Sequence, residues 1–187
     1  MSKSSAVHNG ASKDPFVMDL QKIRQQARQD MSDGPVTQSY AADRPTVLKL
    51  LNSALATEIV CTLRYRRHYF MAKGINSESV AQEFLQHANE EQGHADQLAM
   101  RIVQLGGEPD FAPESLASRS HSEYKEGSDL TDMIRENLVA ERIAIDTYRE
   151  IILYLGETDT TTRRLFEGIL AVEEEHADDM ADLLANR

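Results

Sequence analysis

The hydrophobic pattern divides the chain into an irregular first quarter and a helical remainder. Phe16, Leu20, Ile23, Ala27 and Met31 recur at steps of four, three, four and four, which predicts one apolar stripe on a short helix over about 16–31. Ser32-Asp33-Gly34-Pro35 ends it, because Gly and Pro break helices. Residues 1–14 are small and polar, a composition that predicts disorder. A second polar stretch runs to Arg44. The expected organisation is an N-terminal extension over 1–44 and a folded domain over 45–187.

Pro45 suits a first helical turn, and Leu48, Leu51, Leu55, Glu58, Thr62, Tyr65 and Tyr69 follow at three- and four-residue steps. These predict a long helix over about 45–73, stopped by Gly74. Asn76 or Ser77 caps a second helix that reaches Leu105 and stops at Gly106-Gly107. A third runs from about Asp129 to Leu155, with Ser128 as cap and Gly156 as stop. A fourth begins near Thr160, with Asp159 as cap, and continues almost to Arg187. No period-two segment bounded by hairpin turns marks a strand. Only a few residues join the first helix to the second and the third to the fourth, which forces antiparallel neighbours. The stretch from Gly106 to Ser128 is long enough to run the length of a bundle. Short, long, short predicts an all-α four-helix bundle with one long crossover.

Composition narrows the setting. A length of 187 residues suits one domain. No apolar run approaches the ~20 residues of a membrane span. The N-terminal MSKSSAVHNGASKD has no apolar core of a secretory signal. Cys61 is the only cysteine, which excludes an intramolecular disulfide framework and a Cys-rich metal cluster. These features predict a cytoplasmic protein without a membrane partner. The net charge of −11 is uneven, with +1 on residues 1–45 and −12 on the rest. An acidic body repels nucleic acid and attracts cations.

Two segments read alike. Glu91-Gln92-Gly93-His94 and Glu173-Glu174-Glu175-His176 are both Glu-x-x-His, and residues three apart share a helix face. Glu58 precedes Glu91 by almost the same interval as Glu141 precedes Glu173. Both Glu58 and Glu141 fall on core-facing stripes, where an unpaired carboxylate is costly. Each motif alone has a bland reading: Glu58 and Glu141 pairing with Arg64 or Arg142, His94 and His176 as hydrogen-bonded core histidines, and 173–175 as a solvated acidic face. The duplication argues otherwise. If the halves pack about a pseudo-twofold axis, four carboxylates and two imidazoles converge in the bundle. That set suits two divalent ions, iron or manganese above thiophilic metals.

The segment from about Leu50 to Leu184 resembles the ferritin superfamily, and bacterioferritin within it. LNSALATEIVCTLRY resembles its first helix, with Glu58 at the ligand position and Tyr65 seven residues on. EEQGHAD, LVAERIAIDTY and VEEEHAD resemble its second-, third- and fourth-helix motifs. The resemblance implies a ferritin-like bundle with two iron ions per chain (manganese as the alternative), Glu91 and Glu173 as bridges and Glu58 and Glu141 as terminal ligands. It implies ferroxidase activity with dioxygen or hydrogen peroxide as oxidant, and deposition of ferric mineral in a homo-oligomeric shell. In haem-binding bacterioferritin a methionine follows the second-helix glutamate; Gln92 stands there, so no haem is expected. The N-terminal extension resembles that of the DNA-protecting miniferritins, but its charge of +1 makes DNA binding weak. Eleven residues follow His176, too few for the fifth helix that closes fourfold contacts in large ferritins, which favours a dodecamer over a 24-mer.

Several residues stay open at this level. Tyr65 could donate an electron, bond a ligand or simply pack. Glu90 could face a shell interior, with a surface glutamate the default. His87, on the His94 face, could be a third ligand or part of an entry route. Met71, Met100, Met133 and Met180 are expected to fill the core. The rival functions are a di-iron oxygenase or di-manganese catalase on the same bundle, and a starvation-type DNA-protecting miniferritin.

Overall fold

The computed structural model describes residues 17–74 and 77–185. Among them the chain forms six α-helices and no strand: α1 (Leu20–Gln26), α2 (Arg44–Met71), α3 (Ser77–Gln104), α4 (Pro113–Arg119), α5 (Leu130–Leu155) and α6 (Thr160–Ala185). A 3-10 turn, Met31–Asp33, lies between α1 and α2. The expectation of disorder over 1–14 falls outside the described residues.

The long helices start where their sequences provide an acceptor. Asp43 takes the amide of Thr46 at 3.2 Å and Asp159 that of Thr162 at 2.9 Å, each satisfying an orphan first-turn donor. The cap of α5 is Asp129, which accepts from the Asp132 amide at 2.9 Å. Ser128, the cap expected from sequence, instead bonds the Asp132 carboxylate. Ser77 is the first residue of α3, and Asn76 lies outside the described residues. At the end of α3, Gly107 lies against Leu48, leaving no room for a Cβ.

α2 packs along α3, and α5 along α6; the two hairpins then face each other. Their stripes form two apolar clusters. One holds Val47, Leu51, Leu55, Leu98, Ile102, Tyr148, Leu155 and Phe166. The other holds Tyr65, Val80, Phe84, Met133, Ile134 and Met180. Along every long helix the Glu and His positions fall between the two. Among the described residues α2 is the one helix that could cross a membrane by length and composition, but most of its apolar side chains, Val47, Leu51, Leu55, Val60 and Tyr65 among them, are buried in the core. Met133 and Met180 are buried as expected. Met71 and Met100 are not: they are 41% and 60% exposed, because both sit off their helices' buried stripes.

The crossover is stapled along α2. Arg119 donates to the Asn52 carbonyl at 3.0 Å, Asn52 Oδ1 accepts from the Asp110 amide at 2.8 Å, and Thr57 accepts from the His121 amide at 2.9 Å. It contains α4, which the sequence did not reveal, and Leu116 of α4 packs on Ala56 and Val60. The N-terminal stripe also differs from expectation. It forms only the seven residues of α1, none buried, with Leu20 and Ile23 about half exposed. What anchors the extension is the segment behind it: Val36, Tyr40 and Ala42 pack on the core, and Tyr40 donates to Asp159 at 2.9 Å.

Candidate metal centre

The structure brings all six predicted residues together in the middle of the bundle. Glu58 comes from α2, Glu91 and His94 from α3, Glu141 from α5, Glu173 and His176 from α6, all buried. Their ligand atoms form two overlapping groups: Glu58, Glu91, His94 and Glu173 in one, Glu91, Glu141, Glu173 and His176 in the other, each within 4.8 Å. Glu91 and Glu173 belong to both. Each imidazole turns Nδ1 inward. His94 Nδ1 lies 3.0 Å from Glu173 Oε1, 3.3 Å from Glu58 Oε2 and 3.6 Å from Glu91 Oε2. His176 Nδ1 lies 3.6 Å from Glu91 and 3.7 Å from Glu173.

Two tyrosines brace the outer glutamates. Tyr65 donates to Glu141 and Tyr148 donates to Glu58, so each tyrosine serves the carboxylate of the opposite hairpin. Tyr148 is a residue that sequence reasoning missed, although the signal was present: it follows Glu141 by seven, as Tyr65 follows Glu58. Glu90 is not a plain surface residue, since its Oε2 lies 2.8 Å from His176 Nε2. His87 is fully buried and stacks on His176 at 3.9 Å. The arginine pairing does not occur: buried Arg64 bonds Asn137, the Glu123 carbonyl and Cys61, and Arg142 is exposed.

The electrostatics of the cluster fit cations. Burial, with the Glu173 and Glu91 carboxyls nearby, pushes Glu58 well above the usual carboxylate range. Burial, Glu91 and Glu173 do the same to Glu141. Burial opposes a charge on His94, yet its bonds to Glu173, Glu58 and Glu91 hold the imidazolium far past neutral pH. His176, also opposed by burial, is raised to about 11 through Glu173 and Glu91. Burial would raise Glu91 too, but the neighbouring Glu58 carboxyl and the His176 and His94 imidazoles outweigh it and hold it below its ordinary range. Four buried carboxyls beside two imidazoles call for compensating positive charge, which protons or two divalent cations can supply. Glu141 Oε2 is buried without a hydrogen-bond partner, and the 3.6 and 3.7 Å contacts of His176 Nδ1 with Glu91 and Glu173 are too long for full hydrogen bonds, a cost that ligation would remove. A cavity of 330 Å³ opens on the cluster between α3 and α6, lined by Gln86, Glu90, His94, His176 and Asp179 among others.

A four-helix bundle with this duplicated carboxylate and imidazole set defines a class of dinuclear metal protein. The chain belongs to the ferritin family, whose ferritin-like domain matches residues 48–187. It is 30% identical over 169 residues to a nutrient stress-induced DNA-binding protein of a Synechococcus strain, covering 83% of this chain and 96% of that one. It is 31% identical over 135 residues to the bacterioferritin of Mycobacterium avium, covering 72% and 80%. Among solved structures it is similar to the dodecameric thioferritin of Bacteroides fragilis, a bacterioferritin-related protein, with 32% identity, a TM-score of 0.75, and coverage of 78% and 88%.

Proposed function

We propose that this chain is a non-haem iron-storage and detoxification protein that takes Fe²⁺ as substrate and oxidises it at the six-residue cluster. The observation that carries this is the pair of overlapping ligand groups sharing Glu91 and Glu173. In this reading those two carboxylates bridge, while Glu58 with His94 and Glu141 with His176 complete each position. Carboxylates favour Fe³⁺ over Fe²⁺ and so assist loss of an electron. Two Fe²⁺ supply two electrons, which take dioxygen and two protons to hydrogen peroxide, or peroxide and two protons to two waters. Tyr65 and Tyr148 orient the outer carboxylates, and the apolar clusters on either side keep bulk water out.

The cavity beside the cluster favours iron handling over an oxygenase. Its lining of Gln86, Glu90, Gln97, Glu175 and Asp179 suits a hydrated cation, not an apolar substrate. Mineral storage requires a shell of copies, and apolar Phe70 and Leu153, 72% and 74% exposed, are available for contacts between them. We favour a dodecamer in the cytoplasm, without haem, because Gln92 reaches only Asp96 on the exposed face. DNA is not a partner in this reading. An extension of +1 on a body of −12 releases few counterions from phosphates.

The test is rapid mixing with Fe²⁺ in air. The wild type is expected to show a fast phase that saturates near ~2 irons per chain. Replacing both bridges, Glu91→Ala with Glu173→Ala, is expected to abolish that phase while circular dichroism stays helical. Unchanged fast oxidation in the double variant would overturn the proposal.

A further inference from the structure

We infer that Glu83, His87 and Asp179 form a third divalent-cation site, outside the two-ion centre and on the route into it. His87 Nε2 lies 3.3 Å from Glu83 Oε1 and 3.4 Å from Asp179 Oδ2. The three ligand atoms sit within 4.8 Å of one another. The imidazole is fully buried, whereas the Glu83 and Asp179 side chains are 34% and 43% exposed. A hydrated ion can therefore reach the carboxylates from solvent and meet the nitrogen beneath them.

The hydrogen-bond chain behind His87 points the same way. Tyr65 gives its only hydrogen to Glu141 Oε1, so toward His87 Nδ1, 3.3 Å away, it can only accept. His87 then carries its proton on Nδ1, and the Nε2 lone pair faces two carboxylates. Three acceptors facing one another need something positive between them. Donation of the distal N–H to an ordered acceptor is also how ligating histidines are held.

Packing does not call for a histidine here. Helices α3 and α6 align so that Glu91 falls on Glu173 and His94 on His176. The same alignment sets Glu83 on Leu165 and His87 on Ile169. At the pseudo-equivalent place Ile169 is buried in the apolar core with Leu165 packed against it, and Gln97 stands where Asp179 does. The polar trio breaks the internal symmetry on one side only, the side on which the cavity lined by Asp179, Glu90 and His176 opens. His87 also belongs to a ligand group with Glu90 and His176, so an ion bound at the trio is one step from the centre.

This rests on the two-ion centre proposed above, and the test separates the two. Crystals of the full chain soaked in Co²⁺ are examined by anomalous diffraction, for wild type and for Glu83→Gln with Asp179→Asn. The wild type is expected to show three peaks per chain in the bundle, two at the centre and one among Glu83, His87 and Asp179. The variant is expected to lose the third peak alone. Two filled central positions with no peak at His87 in the wild type would overturn this inference, as would a third peak that survives the variant. A His87 peak with the centre unfilled would instead overturn the reading on which it rests.

Discussion

Six ionisable side chains share the middle of this bundle, and their protons are the most direct handle on them. With Glu58 and Glu141 pushed up by burial and like charge, and His94 and His176 held protonated by their carboxylate neighbours, metal must displace protons to bind. Anaerobic addition of two Fe²⁺ per chain at pH 7 is expected to release protons in weakly buffered solution, because His94 and His176 are held protonated there. Affinity should fall as pH drops, since the histidine protons compete harder. Binding without proton release would contradict the protonation of the two imidazoles. At this scale the clustering of the six side chains was legible because the Glu-x-x-His motif occurs twice at nearly equal spacing from a buried glutamate. Tyr148 was equally legible and was overlooked. The contacts of His87 with His176 and Asp179 were not legible, because they join two helices whose mutual rotation the sequence does not encode locally.

Individual elements are held by a few polar knots. Asp159 caps α6, accepts from Tyr40 and forms an ion pair with Arg101 at 3.0 Å. Burial would raise its carboxyl, but the Thr162, Tyr40 and Arg101 partners outweigh it and hold it below the ordinary value. Asp159→Asn is expected to cost on the order of 2 kcal/mol at pH 7, because a mostly buried Arg101 loses its partner. A depressed carboxyl contributes fully above its unfolded pKa near 4 and loses that contribution as pH falls through the lower folded value. The gap between wild type and variant in urea unfolding should therefore close below about pH 4. The extension divides at this knot. Removing residues 1–33 is expected to leave Tm within about 2 °C, since neither α1 nor the 3-10 turn buries a residue. Removing 1–42 also takes Val36, Tyr40 and Ala42 from the core and is expected to lower Tm by about 5 °C or more. Equal Tm values for the two truncations would show that the strap carries no stability. The long helices were readable from their stripes and caps because packing and local chemistry agree there. The N-terminal stripe misled because periodicity reports an amphipathic face and not whether anything covers it. Helix α4 escaped notice because seven residues with one buried leucine carry no period.

For the whole molecule the deciding measurement is mass. A dodecamer of 21.0 kDa chains weighs about 250 kDa, and a 24-mer twice as much. Native mass spectrometry is expected to give the smaller particle, and a species of double that mass would show the dodecamer reading to be wrong. Within one chain the architecture carries a further implication. Tyr65 of the first hairpin holds Glu141 of the second, and Tyr148 of the second holds Glu58 of the first. Both ligand groups likewise draw on Glu91 from one hairpin and Glu173 from the other. Neither hairpin owns a finished pocket. The protein is a clasp whose two jaws are complete only against each other; on the function proposed above, a chain whose halves have failed to dock would have nowhere to gather iron, and capture of the metal would double as a proofreading of assembly.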